Sequence, residues 1–152
     1  MYSIKNNIWA MLPPLPIPHN NPVSAFYGGK IWLTGDLGKV SAFNPRTTTH
    51  RVVKINLPKG PKCMISANSS LYFITSENKT VKMTGKNDKY EDVKPKRNQG
   101  LNPKFGGGKI SSQIARYGNT YYLVYGEFFS NTRNILEFDV KRESLYKCRK
   151  QV

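Results

Sequence analysis

The chain is short of acids, histidine, cysteine and long apolar runs, and each shortage closes off a class of function. Asp and Glu number 9 against 24 Lys and Arg, for a formal net charge of +15. The two histidines, His19 and His50, and the two cysteines, Cys63 and Cys148, show no metal-site spacing. His19 falls in a proline-rich stretch and His50 at a turn, so both read as ordinary surface residues rather than an acid–base pair. A Gly-x-Ser-x-Gly nucleophile elbow is absent. The cysteines read as two buried thiols, with a single bridge left open. Apolar runs stay short of the roughly 18 residues that mark a membrane-spanning helix, and a signal peptide's apolar region is missing. Asn68-Ser-Ser and Asn78-Lys-Thr match the glycosylation pattern, and without that signal they read as polar turns. These shortages lead us to expect an intracellular protein, cytoplasmic or nuclear, that is not an enzyme and takes no metal or cofactor.

What is present favours strands. Hydrophobic residues make up 38% of the 152, enough for a core, with Tyr 9, Phe 7 and Trp 2. Proline and glycine recur too often for long helices. The positive charge steers the chain toward acidic partners such as nucleic acid, anionic lipid or an acidic protein. Its densest run is "VKPKRNQGLNPK", residues 93–104, and a second cluster, "VKRESLYKCRK", ends the chain.

Three seven-residue frames repeat: "KIWLTGD" from Lys30, "LYFITSE" from Leu71 and "YYLVYGE" from Tyr121, offset by 41 and 50 residues. Each follows a turn of Gly, Asn or Ser and ends in a small residue and an acid. Upstream of each lies a short apolar strand, "PVSAFY" from Pro22, "KCMISA" from Lys62 and "ISSQIARY" from Ile110. Downstream lies a third, "KVSAFNP", "TVKMTG" and "NILEFDV", and then a fourth, "HRVVKINLP", "KYEDVKP" and "SLYKCRK". Such self-similarity marks stacked supersecondary units. The chain therefore reads as a single all-β domain, 1–152, of three consecutive four-stranded antiparallel units, about 22–58, 61–95 and 109–150. That pattern fits a partial β-propeller or, alternatively, a β-sandwich. Trp9 precedes Pro14 by five residues, as Val53 precedes Pro58 and Tyr90 precedes Pro95. Met1 to Leu12 is thus expected to be an extra strand, the fourth of a unit whose first three are missing, and "PPLPIPHNNP" the crossover from it.

The first third of the chain resembles the kelch-repeat family. Gly28-Gly29 precede Lys30-Ile31-Trp32-Leu33, "VSAFNPRTT" is similar to the kelch third strand and its turn, and "IWAMLPPLPIP" to the tryptophan strand and its proline exit. Departures are plain. The family's glycine doublet ends the second strand, where this chain has Gly35-Asp36, Ser76-Glu77 and Gly126-Glu127. Its tryptophan is replaced by Val53 or its neighbour, by Tyr90, and by Leu145 or Tyr146. The resemblance implies a propeller that presents blade loops to other proteins.

Three blades leave two open faces, since an isolated unit cannot bury its own apolar side. Three resolutions stand: pairing with another chain or a second copy, a fragment of a longer propeller, or two packed sheets. "EFFSNTR" places Phe128 and Phe129 in a turn beside Arg133, a recognition spot for a protein partner together with Trp9. Residues 96–109, "KRNQGLNPKFGGGK", form the longest irregular part and read as a solvated linker. "FGGGK" lacks the spacing of a phosphate cradle. Lys94, Lys96, Arg97, Lys104 and Lys109, with Phe105 for stacking, make this the nucleic-acid-binding candidate. Asp36, Glu77 and Glu127 either ring one mouth of a channel or are polar stops after buried strands. The first functional reading is a noncatalytic protein-interaction module that recognises a protein partner, or associates with itself, through blade loops and open edges. The alternative is a basic nucleic-acid-associated or ribonucleoprotein component.

Overall fold

Alternating apolar residues and short turns give fifteen strands and no helix among the described residues of this computed structural model. Described are residues 2–55, 57, 60–75, 79–86, 89–90, 96–97, 109–126 and 133–147, with backbone alone at 85–86, 89–90, 96–97, 109–113, 124–126, 133–134, 144 and 147. The chain opens with β1 (Tyr2–Ser3) and β2 (Ile8–Trp9), which pair antiparallel as a small hairpin. The single strand expected over Met1 to Leu12 is therefore two short ones turned back on each other. Asn7, at φ 52°, closes the turn, and the Tyr2 hydroxyl donates to its Oδ1.

The first four-stranded sheet holds β3 (Val23–Tyr27), β4 (Lys30–Thr34), β5 (Val40–Asn44) and β6 (Thr49–Val53) in sequential order. Next come β7 (Pro61–Ala67), β8 (Ser70–Thr75), β9 (Lys79–Lys86) and β10 (Lys89–Tyr90), again in order. β11 (Lys96–Arg97) also pairs with β9, with Lys96 opposite Thr80. The segment read as a linker thus begins with a paired strand. The last sheet is β12 (Lys109–Tyr117), β13 (Thr120–Gly126), β14 (Arg133–Asp139) and β15 (Ser144–Lys147). Every strand expected within the three units starts within one residue of its expected start.

Turn chemistry explains the regularity. Gly28 and Gly29 both have positive φ, 57° and 74°, the two-residue geometry whose twist matches its flanking strands. The second sheet makes the corresponding turn with Asn68 and Ser69, at φ 47° and 54°. Asn enters that region readily without being glycine, so the geometry repeats where the glycine motif does not.

The sheets stack in series. Side chains alternate across a strand, and β8 is buried at every position. Its Leu71 and Phe73 pack with Trp32, Val40 and Val53 of the first sheet. Tyr72 and Ile74 pack with Leu123, Leu136 and Phe138 of the last. A strand covered on both faces reads as a continuous apolar run, as "LYFI" does. β7 lies beside both β3 and β12, so the first strands of the three sheets are neighbours. Tyr27 donates to the Ser69 carbonyl and Tyr121 to the Ser66 carbonyl, each at 2.8 Å, tying one end of the stack. At the opposite end Lys62 meets Asp36 at 2.7 Å.

Candidate interaction surface

Register decides which side chains face away from the stack. In the first sheet Val23, Ala25 and Tyr27 pack toward β8, so Ser24 and Phe26 point outward. Opposite them stand Leu33 and Ile31, then Ser41 and Phe43, then Val52 and His50. Phe26 is 62% exposed and Val52 is also exposed, while Ile31 and Leu33 are half-buried. This outward face is therefore largely apolar. A strand with apolar residues in both phases of its alternation was the available sequence signal, in Phe26 against Val23 and Tyr27.

Ser41 and Phe43 lie on the same face yet are buried. His19 reaches Ser41, with its Nε2 2.9 Å from the hydroxyl. The proline-rich crossover is thus laid against part of the face. The Asp36 amide donates to the Asn20 carbonyl at 3.0 Å and Asn21 donates to the Asp36 carboxylate. Gly35 permits this approach, because a Cβ there would stand 2.4 Å from the Asn20 oxygen. His19 is consequently no ordinary surface residue: burial holds its pKa below the usual imidazole value. His50 is half-buried too, its ring 4.5 Å from that of Phe43, and its Nδ1 is buried with no hydrogen-bond partner among the described residues.

Asp36 is a link between sheets rather than a mere polar stop, through its ion pair with Lys62. Glu77 and Glu127 lie outside the described residues. A second link is half-buried: Glu143 accepts from the Tyr72 hydroxyl at 3.2 Å and from Lys82. Burial, then the Glu143 charge, raises the Tyr72 pKa, and the Glu143 hydrogen bond raises that of Lys82.

Of the residues expected to bind protein, Trp9 is 80% exposed on the N-terminal hairpin, its ring 5.1 Å from Tyr2. Ile4, Ile8 and Met11 are exposed on the same short stretch. Phe128 and Phe129 lie outside the described residues, as do Lys94, Lys104 and Phe105. The backbone places Lys109 and Arg133 opposite Gly126 from its two sides, one row across the last sheet. Lys96 and Arg97 lie opposite Thr80 and Lys79, at the start of the middle sheet's third strand. Lys109 and Arg133 hold the corresponding end of the last sheet, so two residue sets assigned to different partners share one end of the stack.

Cys63 is a free, buried thiol whose pKa burial pushes well up; Cys148 lies outside the described residues. No group of three His, Cys, Asp or Glu among the described residues is placed to hold a metal ion. No described helix is long and apolar enough to cross a membrane.

Sheets of four strands, packed face to face with their first strands adjacent, are the arrangement of propeller blades. The fold is propeller-like. No protein-family profile matches the chain, and no curated protein sequence matches it. Among solved structures it is similar to the N-terminal domain of Nup159, with a TM-score of 0.52 and 12% identity over 82% of this chain and 35% of that one. It is equally similar, with a TM-score of 0.52 and 12% identity, to a chain of the Saccharomyces cerevisiae complex of Dbp5 bound to Nup159, Gle1, IP6 and ADP. That match covers 82% of this chain and 36% of the other. The chain spans about a third of the length of these relatives. At this identity the likeness is one of fold: four-stranded sheets arranged as in nucleoporin blades.

Proposed function

We propose that this chain is a noncatalytic, kelch-like protein-interaction module of the cell interior, cytoplasmic or nuclear. It recognises a partner through the outward face of its first sheet, the exposed Trp9 hairpin, and Phe128, Phe129 and Arg133. The observation that carries the reading is the outward face itself. Phe26, Ile31, Leu33 and Val52 form one apolar surface on a single sheet, in a chain of net charge +15. Apolar surface of this kind on a soluble scaffold marks a place for a partner. The likeness to Nup159, a protein seen in a complex with Dbp5 and Gle1, agrees with such a role.

A second reading has its own support. Lys96, Arg97, Lys109 and Arg133 come to one end of the stack by backbone register, which suits a basic nucleic-acid-associated component. One experiment separates the two. A photoreactive amino acid is placed at position 26, and in parallel at position 109, and cross-linked in cell extract. Protein recognition is expected to give a discrete protein adduct from position 26 that survives nuclease and high salt and disappears with Val52→Asp. Nuclease-sensitive adducts from position 109 alone, weakening steeply with salt, would overturn it in favour of the second reading.

A further inference from the structure

We propose that β6, the outer edge of the first sheet, takes an extended segment of a partner protein as an added strand, one in which acidic and apolar residues alternate. This rests on reading the outward face as a recognition surface, since Val52 belongs to both. The place of β6 follows from the stack itself. The first strands β3, β7 and β12 lie side by side, so the fourth strands β6, β10 and β15 lie farthest from that line. The sheets meet through their faces. Any sheet that continues the stack covers a face and leaves this edge open.

Three observations single out β6 and its occupant. The first is length. β6 has five residues, against two in β10 and four in β15. Five extended residues span about 17 Å. A strand at a sheet edge offers a row of main-chain N–H and C=O groups to another chain. Among the described residues no further strand lies against β6, and no proline, glycine or bulge blunts it.

The second is alternation. Val52 stands opposite Ser41 in the outward phase, and Arg51 opposite Ala42 in the other. Both are exposed. An added strand therefore sets one side chain beside Val52 and the next beside Arg51. Side chains directly opposite one another on neighbouring strands interact, so these places suit an apolar residue and a carboxylate in turn. The third is charge. Arg46, in the turn before β6, and Lys54, just after it, are exposed and extend the positive charge past both ends. The single acid among residues 22–55 is Asp36, already held by Lys62 and Asn21. Two such edges set against each other bring like charges together, which is destabilising. Charge on an outer edge guards against pairing with its own kind in this way, and it admits an acidic segment. Main-chain hydrogen bonds then supply affinity, and the alternating side chains supply the choice of sequence.

Fluorescence anisotropy on the full chain tests this, with a labelled peptide of alternating valine and glutamate as the probe. Two further peptides serve as comparators: alternating valine and lysine, and the valine–glutamate peptide with its amide nitrogens methylated. The valine–glutamate peptide is expected to bind saturably and the valine–lysine peptide about tenfold more weakly. The methylated peptide, which keeps the side chains and loses the main-chain donors, is expected not to bind. Arg51→Glu is expected to reverse the preference between valine–glutamate and valine–lysine, with folding checked by circular dichroism. Lys54→Glu is expected to shift it the same way, should Arg51→Glu fail to fold. A folded wild type that leaves the valine–glutamate peptide unbound, or that holds the methylated peptide equally well, would overturn the proposal. If oligouridylate binds through Arg51 in the peptide's stead, the edge belongs to nucleic acid and the proposal falls. A chain that binds no peptide and still yields a protein adduct from position 26 would sink strand addition and leave the partner reading standing.

Discussion

Replacing Gly35 by alanine tests how the crossover is held against the first sheet. The added Cβ would stand 2.4 Å from the Asn20 carbonyl oxygen and 3.3 Å from the Asn20 nitrogen. Both are main-chain atoms, so no flexible side chain can swing aside, and the two backbones must part. Parting them breaks the 3.0 Å hydrogen bond from the Asp36 amide to the Asn20 carbonyl. Overpacking of this kind costs about 1–3 kcal/mol, and the hydrogen bond contributes about 0.5–1.5 kcal/mol. The expected loss is about 2–4 kcal/mol. At about 2–4 °C per kcal/mol for a chain of this size, Tm falls by roughly 4–16 °C. Thermal unfolding followed by far-ultraviolet circular dichroism measures it. Gly28→Ala is the control. That residue has φ +57° and nothing within 4 Å of an added Cβ, so its cost is the left-handed backbone alone, about 1–2 kcal/mol. A Gly35→Ala chain as stable as the wild type, or less damaged than Gly28→Ala, would refute the steric reasoning.

His19 supplies a pH dependence. Its folded pKa lies below its unfolded value of about 6.5. Its contribution to stability is therefore complete above that pH and is lost as pH falls through it toward the lower folded value. The urea midpoint is expected to drop more on acidification in the wild type than in His19→Gln; parallel curves would contradict the burial of the His19 ring against the first sheet. Glu143→Ala removes hydrogen bonds to Tyr72 and Lys82 that cross between the second and third sheets. It is expected to cost about 1–3 kcal/mol, and a double-mutant cycle with Lys82→Ala should show coupling rather than additivity. The Cys63 thiol, buried and with a raised pKa, should resist alkylation in the native chain and react only in denaturant, as read by mass spectrometry of its peptide.

Much of the fold is local and was legible as such. Period-two alternation and the turns at Gly28-Gly29, Asn68-Ser69 and Gly118 locate the strands without reference to anything distant. The N-terminal hairpin was hidden because proline spacing after Trp9 reads as a strand exit, while the tight turn at Asn7 carries no glycine. The contacts that make the surface were not legible. His19 with Ser41, Tyr72 with Glu143 and Asp36 with Lys62 join residues 22, 71 and 26 positions apart. The last two exist because whole sheets pack and the first because the crossover lies on a sheet, not because of neighbouring sequence. The two tryptophans make the same point. Trp9 drew attention in the sequence and is exposed, whereas Trp32, its indole bound to the Tyr27 carbonyl at 3.0 Å, is 2% exposed and packs in the core.

A middle sheet covered on both faces, between neighbours covered on one, is measured most directly by native-state hydrogen exchange. The amides of Leu71 to Ile74 in β8 are expected to exchange only through global unfolding, the slowest class in the chain. Those of β6, an edge strand with three of its five residues exposed, should exchange through smaller openings of lower energy. Amides of β8 that exchange as readily as those of β6 would contradict the serial stack, and with it the outward faces on which recognition depends.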